Sequence, residues 1–539
     1  MKTDSGNKKK WVFLGGILLA GFLTYILSLT SHGLWYDEAI EYYFSKVTSG
    51  KVPGGFGKST MYERILSTYQ PPLYNWLMHI WLIFFDSEAG FRMAGVLTTL
   101  AGAIGIFCGI DKLINYKWAS FGTCFYLFST AVAHYATECA EYNLVLCCLS
   151  WTIYFYIICI KDQKIKNYIG FFLFACFSVY SQYGAAFMVI VLYLSLVIKC
   201  IKNKDTRILK TIGIISAIIA VVAVFPLIWF FMLPQMNNQG SVSVSHFPHF
   251  RNANIIIDFI VSIILQAAWN FYPSGINGQG NIMYYIQPAL VGLAGIFTLA
   301  ALLKKNNTLK DFAGLCISSW IIFYIAVACS FYGYNGWIQS YGTENMGERY
   351  GLFFVPLWVV TLCYGIYVFS GWLKIKLDIN IFKGYMILLI IAMCVYIGIE
   401  VKVSYSGGYF KEDIREISSV WYENKLYEKK TLVHEWSDAV FHFYLTHNDN
   451  YQEKYQNNII NTEMWIRSAG YDGMKTKFEE MGIFGLEEFY YISPAQEWEE
   501  NTSVFEQLMQ DSGYEIKALW KGKSELLYLK KTGLEVMAK

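Results

Sequence analysis

Charge is scarce in this 539-residue chain. Only 16% of its residues are Asp, Glu, Lys or Arg, while 55% are hydrophobic, and the mean hydropathy is +0.34. Soluble domains carry about 25% charged residues, so a wholly soluble body is excluded. Cysteine is missing from the places where a disulfide framework would sit. All twelve cysteines fall between Cys108 and Cys394, within or at the ends of apolar runs, and none lies in the first polar loop or in residues 401–539. No disulfide scaffold is implied. No cysteine pair has metal-site spacing, and the adjacent Cys147 and Cys148 read as small core residues. His246 and His249 are separated by Pro248 and have no acid at ligand spacing, so no metal site is expected. The tail also lacks a phosphate-binding glycine loop, a zinc motif and internal repeats.

Apolar runs near the ~20 residues that cross a bilayer recur along the first 400 residues, which predicts a polytopic α-helical membrane protein. The formal net charge of +2 hides a split. Residues 1–400 hold 27 basic against 18 acidic side chains, a net of +9, and residues 401–539 hold 16 against 23, a net of −7. Two domains are expected, a transmembrane domain over 1–400 and a soluble domain over 401–539. The run Trp11–Leu29 is too long for a signal-peptide core and reads as a retained first span.

Short Lys/Arg-rich stretches sit at Lys8–Lys10, Asp111–Lys117, Lys161–Lys166, Lys199–Lys210, Lys304–Lys310 and Lys374–Lys383. The positive-inside rule makes these cytoplasmic. About eleven spans follow, with the N-terminus inside and the tail extracytoplasmic. Long outer loops then cover 31–90 and 232–281. All eight histidines fall on the outer side or at outer span ends. Leu73–Phe85, started by Pro71 and Pro72, is short for a span and suits an interfacial helix; Ile255–Ala268 is a second amphipathic candidate. In the tail, Ile414–Asn424, Asp438–Leu445 and Val504–Gln510 read as helices. Thr431–His434, Glu488–Ser493, Tyr514–Trp520 and Ser524–Leu529 read as strands, which argues a small α/β domain.

Charged groups collect at outer span ends: Asp37, Glu38 and Glu41; Arg92; Glu138 and Glu141; Glu344, Glu348 and Arg349. Burying a charge in lipid costs at least ~2.5–3.5 kcal/mol. Singly, each is an ordinary end-of-helix residue. Together, on one face, they suit a cavity in which arginine binds an anionic headgroup and a carboxylate takes a proton.

The order of Trp35-Tyr36-Asp37-Glu38, Pro71-Pro72-Leu73-Tyr74 and Ser87-Glu88-Ala89-Gly90-Phe91-Arg92 resembles the polyprenyl-phosphate-sugar glycosyltransferases. These are GT-C-fold membrane enzymes of the protein O-mannosyltransferase and aminoarabinose-transferase type. His134 to Tyr142, Tyr180 to Gly184, Arg349-Tyr350 with Pro356, and the tail from Lys411 extend the resemblance over nearly the whole chain. The family usually has Arg where this chain has Glu141, and often His where it has Gln182.

The resemblance implies an inverting transfer of a sugar from a polyprenyl-phosphate donor to an acceptor hydroxyl of an envelope glycan, lipid or protein. Asp37 would be the general base, with Glu38 as alternative or orienting partner. Arg92 and Arg349 would hold the donor phosphate, with Glu138, Glu141, Gln182 and Tyr350 in support. Phosphate is a stable leaving group, so no general acid is needed, unlike in glycosidases. No cofactor, obligatory metal or nucleic-acid partner is implied; membrane lipid is. A lipid flippase or transporter, or an inactive envelope scaffold, is the alternative. Nearly charge-free spans with charges at one face favour surface chemistry over passage.

Overall fold

The computed structural model describes residues 3–46, 60–68, 70–238, 283–328, 348–377, 412–462, 470–494 and 499–532. In chain order the helices are α1 (Thr3–Ser28), α2 (Tyr36–Ser45), α3 (Met61–Leu66), α4 (Leu73–Leu82), α5 (Glu88–Leu113), α6 (Tyr116–Leu127), α7 (Thr130–Ala136) and α8 (Tyr142–Lys161). They continue with α9 (Ile165–Ser181), α10 (Ala185–Lys202), α11 (Thr206–Ile219), α12 (Phe225–Leu227), α13 (Leu233–Asn238), α14 (Met283–Leu302), α15 (Asn307–Ala328) and α16 (Val355–Leu377). Last come α17 (Ile414–Glu423), α18 (Glu435–Thr446), α19 (Gly470–Glu480) and α20 (Glu499–Asp511), with strands β1 (Thr431–Val433), β2 (Ile459–Asn461), β3 (Glu488–Ser493), β4 (Tyr514–Lys521) and β5 (Glu525–Lys531). The chain divides into two compact units. One comprises Met1–Leu29, Ile65–Leu77 and Ala89–Gly408; the other comprises Thr30–Arg64, Met78–Glu88 and Tyr409–Lys539.

The first unit is a helical body. Among the described residues seven helices are long and apolar enough to cross a membrane, and Ile165–Ser181 and Val291–Leu302 are shorter apolar helices. The last expected span, residues 384–400, lies outside the described residues. The core gathers Tyr25, Phe107, Leu127, Tyr156, Phe171, Trp320, Phe353 and Phe354 from six helices and the turn before α16. Outward-facing apolar residues such as Ile169, Leu173, Ile214 and Ile218 stay exposed, as a lipid-facing surface requires. Between α11 and α13 the helix passes through two π-helical turns, Ala220–Val224 and Ile228–Met232. Phe231 of the second turn meets Trp76 of α4 edge-on, with ring centroids 5.8 Å apart. At ten residues α4 is too short to span.

The basic stretches meet one another. Lys10 at the start of α1 pairs with Asp111 near the end of α5 at 2.5 Å, and Lys199 near the end of α10 pairs with Asp311 at the start of α15 at 2.8 Å. Lys161 donates to the Lys112 carbonyl at 2.5 Å, and Lys304 stands 4.4 Å from the Trp372 ring centroid.

The second unit holds a five-stranded mixed sheet of order β2-β1-β3-β5-β4. β1 runs parallel to β2 and β3, whereas β5 is antiparallel to both β3 and β4. β3, in the middle, is buried on both faces from Phe489 to Ser493, and such burial on two faces produces its continuous apolar run. Edge strand β4 carries Glu515 and Lys517 and a bulge at Ala518/Trp520, features that discourage further pairing. The core is Leu432, Met474, Phe478, Phe489, Tyr491, Phe505, Leu508, Leu527 and Leu529. β2 and α19 are additions to the elements expected from the sequence.

Candidate functional site

Asp37, Glu38 and Glu41 lie on α2 in the second unit, and the helix is fixed at each end by side chains. At its start Trp35 is extended (φ −109°, ψ 174°), and its N–H donates to Glu38 Oε2 at 3.3 Å. The Glu38 carboxylate thus covers a donor beside a helix N-terminus, where negative charge is favoured. At the other end the orphan carbonyls of the last turn are taken by cationic or polar groups. Arg64, fully buried, donates through Nη1 to the Tyr43 and Lys46 carbonyls at 2.6 and 3.0 Å. His79 Nδ1 stands 2.9 Å from the Ser45 carbonyl. Of the three carboxylates, Glu38 and Glu41 are buried, at 1% and 6% exposure, and Asp37 is half-buried.

The side of α2 near its end carries a polar cluster. Tyr42 donates to Asp86 Oδ1 at 2.7 Å, Lys46 binds both the Tyr42 hydroxyl and Asp86, and His447 Nε2 lies 3.5 Å from Asp86. Burial pushes the Asp86 carboxyl up, but the bonds from His447, Lys46 and Tyr42 outweigh it and hold it well below the usual carboxylate range. The same environment, burial first and Asp86 second, pushes the Tyr42 phenol up.

The first unit holds the other expected residues. Arg92 is fully buried and donates through Nη1 to the Leu29 carbonyl, just past the end of α1, at 3.0 Å. Glu138 and Glu141 flank the turn between α7 and α8, and both are buried. Glu138 Oε2 lies 3.3 Å from His134 Nε2, and Glu141 is the residue before the first turn of α8. Asn143 holds this turn. Its amide donates to the Tyr135 and Glu138 carbonyls at 2.5 and 3.3 Å, and its Oδ1 accepts from Thr99 of α5 at 3.2 Å. The chain can approach α5 so closely because residue 95 is glycine. A Cβ there would lie 2.7 Å from the Asn143 amide nitrogen and 2.8 Å from the Ala136 carbonyl.

Gln182 ends α9 and is buried, with its side-chain carbonyl facing no hydrogen-bond donor among the described residues. Its neighbour Tyr183 donates to Gln235 Oε1 at 2.8 Å. The Gln235 amide in turn donates to the Ile65 and Gln70 carbonyls at 2.9 and 2.7 Å, beside Pro71 and Pro72. Arg349 and Tyr350 lie in the 3-10 turn Glu348–Phe354 that leads into α16. Glu344, His246, His249 and the helix candidate 255–268 lie outside the described residues.

The structure therefore joins Asp37, Glu38 and Glu41 on one helix, and Glu138 and Glu141 on one turn. Arg64, Asn143 and Gln235, which hold these segments, were not found from the sequence. Each acts on backbone carbonyls, and no local pattern marks them. Among the described residues no three His, Cys, Asp or Glu side chains gather as a metal site would require.

The fold defines a class: a polytopic α-helical membrane protein with a small C-terminal α/β domain. Within it, residues 69–230 match the family of dolichyl-phosphate-mannose-protein mannosyltransferases, the kind of relative that the motif order resembles. No curated protein matches the chain in sequence. Solved structures that resemble it include ArnT from Cupriavidus metallidurans in the apo state, at 13% identity, covering 97% of this chain and 98% of that one with a TM-score of 0.48. The same ArnT bound to undecaprenyl phosphate gives 12% identity, 96% and 98% coverage and a TM-score of 0.45. The oligosaccharyltransferase of Archaeoglobus fulgidus in complex with zinc and sulfate gives 11%, 96% and 73%, and 0.48.

Proposed function

We propose that this protein is a membrane glycosyltransferase that moves a sugar from a polyprenyl-phosphate donor to an acceptor hydroxyl at the extracytoplasmic face. The observation that carries the reading is the state of α2. Its Glu38 is spent on its own helix start, its last turn is held by Arg64 and His79, and Asp37 is the least buried of its carboxylates. The family match over residues 69–230 supports the reaction class. The meeting of the basic stretches of the first unit supports putting them together on the cytoplasmic side.

In this mechanism Asp37 accepts the proton of the acceptor hydroxyl as its oxygen attacks the anomeric carbon. The bond from that carbon to the phosphate oxygen breaks, its electron pair leaves with the polyprenyl phosphate, and the anomeric centre inverts. General base assistance is worth typically ~10²–10⁴-fold. Arg92 and Arg349 stabilise charge on the departing phosphate. The acceptor is an envelope glycan, lipid or protein hydroxyl.

The test uses purified protein in nanodiscs with a panel of polyprenyl-phosphate sugars. A donor that raises the Tm of wild type but not of Arg92→Ala, each against its own baseline, supports the phosphate role. Asp37→Asn is expected to bind that donor and to transfer at least ~10²-fold more slowly. Turnover of Asp37→Asn at the wild-type rate removes Asp37 from the mechanism. A donor shift in Arg92→Ala equal to that of wild type removes Arg92 from the phosphate site.

A further inference from the structure

The segment leading into α2 is held by two side chains of the C-terminal part of the same unit. Tyr444, on α18, accepts the Leu34 N–H at 2.5 Å and donates its own hydroxyl proton to Glu88 Oε2 at 2.9 Å. A phenol has one proton to give and lone pairs to accept with, so the two bonds form a single relay. Arg415, on α17, donates to the Thr30 carbonyl at 3.1 Å and reaches Glu88 Oε1 at 3.5 Å. The backbone is thereby gripped at residues 30 and 34, with Glu88 as the common anchor. Gly33, between them, is tightly packed, and a side chain there would make its neighbours give by a few tenths of an ångström. A Cβ there would stand 3.1 Å from Arg415 Cβ and 3.2 Å from the Tyr444 hydroxyl. Two residues past Leu34, the Tyr36 ring stacks on Trp436 of α18 at 5.0 Å and 23°. Tyr42 meets Phe443 edge-on at 4.9 Å. Asp37 therefore follows a stretch whose position is set by the tail at Leu34 and Tyr36.

We infer that Tyr444 is a positioning residue for the Asp37 carboxylate, and that the C-terminal domain is a working part of the transfer site through this hydroxyl. The inference rests on the reading of Asp37 as general base. A displacement of about 1 Å in a reacting group costs on the order of 10²-fold in rate, and the Tyr444 hydroxyl is one of the contacts that set the entry to α2. The hydroxyl touches no reacting atom, so its effect belongs in kcat and not in donor binding.

The experiment is Tyr444→Phe in the full chain, with Gly33→Ala and the double variant beside it. Phenylalanine keeps the ring and deletes the relay. Tyr444→Phe is expected to lower kcat about 10- to 100-fold with donor KM within twofold of wild type, and hydrogen exchange should quicken at the Leu34 amide. Gly33→Ala should also lower kcat. Its cost should shrink in the Tyr444→Phe background, because the hydroxyl it crowds is gone. Wild-type kcat and wild-type exchange at Leu34 in Tyr444→Phe overturn the inference. So does a double variant in which the two losses multiply, or a loss of rate that appears only in donor KM. If Asp37→Asn turns over normally, the general-base reading fails by itself. The Leu34 exchange rate then decides the clamp, and an unchanged rate overturns it.

Discussion

Asp37 and Glu38 are neighbours with the same functional group and different surroundings. Glu38 bonds the Trp35 N–H from a buried position, while Asp37 is only half-buried. Glu38→Ala should therefore lower stability by about 0.5–2 kcal/mol, the usual value of a helix-start contact. Thermal or denaturant unfolding will register it, whereas under the proposed mechanism the effect of Asp37→Asn is expected in turnover. A second residue couples the tail to pH. His442 is buried with its Nδ1 2.7 Å from Asp438 Oδ1. Burial pushes its pKa down, but the charge of Asp438 and the bonds to it win, and the net shift is upward. A raised folded pKa gives stability that is full below the unfolded value near ~6.5 and is lost as pH climbs through the folded one. The tail's unfolding temperature should fall as pH rises through that range, and His442→Gln should flatten the dependence. An equal fall in the variant would assign it to other groups.

At the level of elements, the tail was largely legible. Alternation and β-branched or aromatic content mark β3, observed at Glu488–Ser493 as expected, and β1, β4 and β5 within two residues at either end. β2 escaped notice because it is three residues long among asparagines. α19 escaped because Lys475, Lys477, Glu479 and Glu480 leave it few apolar positions, chiefly Met474 and Phe478. The holding residues were not legible for a different reason. Arg64 acts on a carbonyl 21 residues away and Tyr444 on an amide 410 residues away, and no periodicity encodes such a pairing. Close approach is similarly hidden. Gly95 looks like any glycine in an apolar helix until Asn143 and the Ala136 carbonyl are seen beside it. Gly95→Ala should cost about 1–3 kcal/mol by crowding a backbone carbonyl that cannot move aside. Gly15→Ala, with open space around it in the interior of α1, should carry no such cost, and the melting temperature of the protein in detergent should hold or rise because alanine is the better helix former.

For the whole molecule, orientation is the property with the widest reach. The extracytoplasmic reading of the tail predicts that a cysteine at Asp449, an exposed residue, reacts with a membrane-impermeant maleimide in intact cells. A cysteine at Lys305, in the basic turn between α14 and α15, should react only after the membrane is opened. The opposite pattern would turn the chain over in the membrane.

The second unit is assembled from pieces far apart along the chain, and this has a consequence for its birth. The Leu34 amide and its Tyr444 partner are separated by 410 residues, and Tyr42 and His447 by 405. At ~5–20 residues per second, the ribosome needs roughly 20–80 s to deliver the second partner after the first. During that interval the carboxylate helix waits without its clamp while the spans are threaded into the bilayer. A nascent chain would thus have its spans in place before the two ends of the second unit meet, and that unit would be completed only with the last quarter of translation.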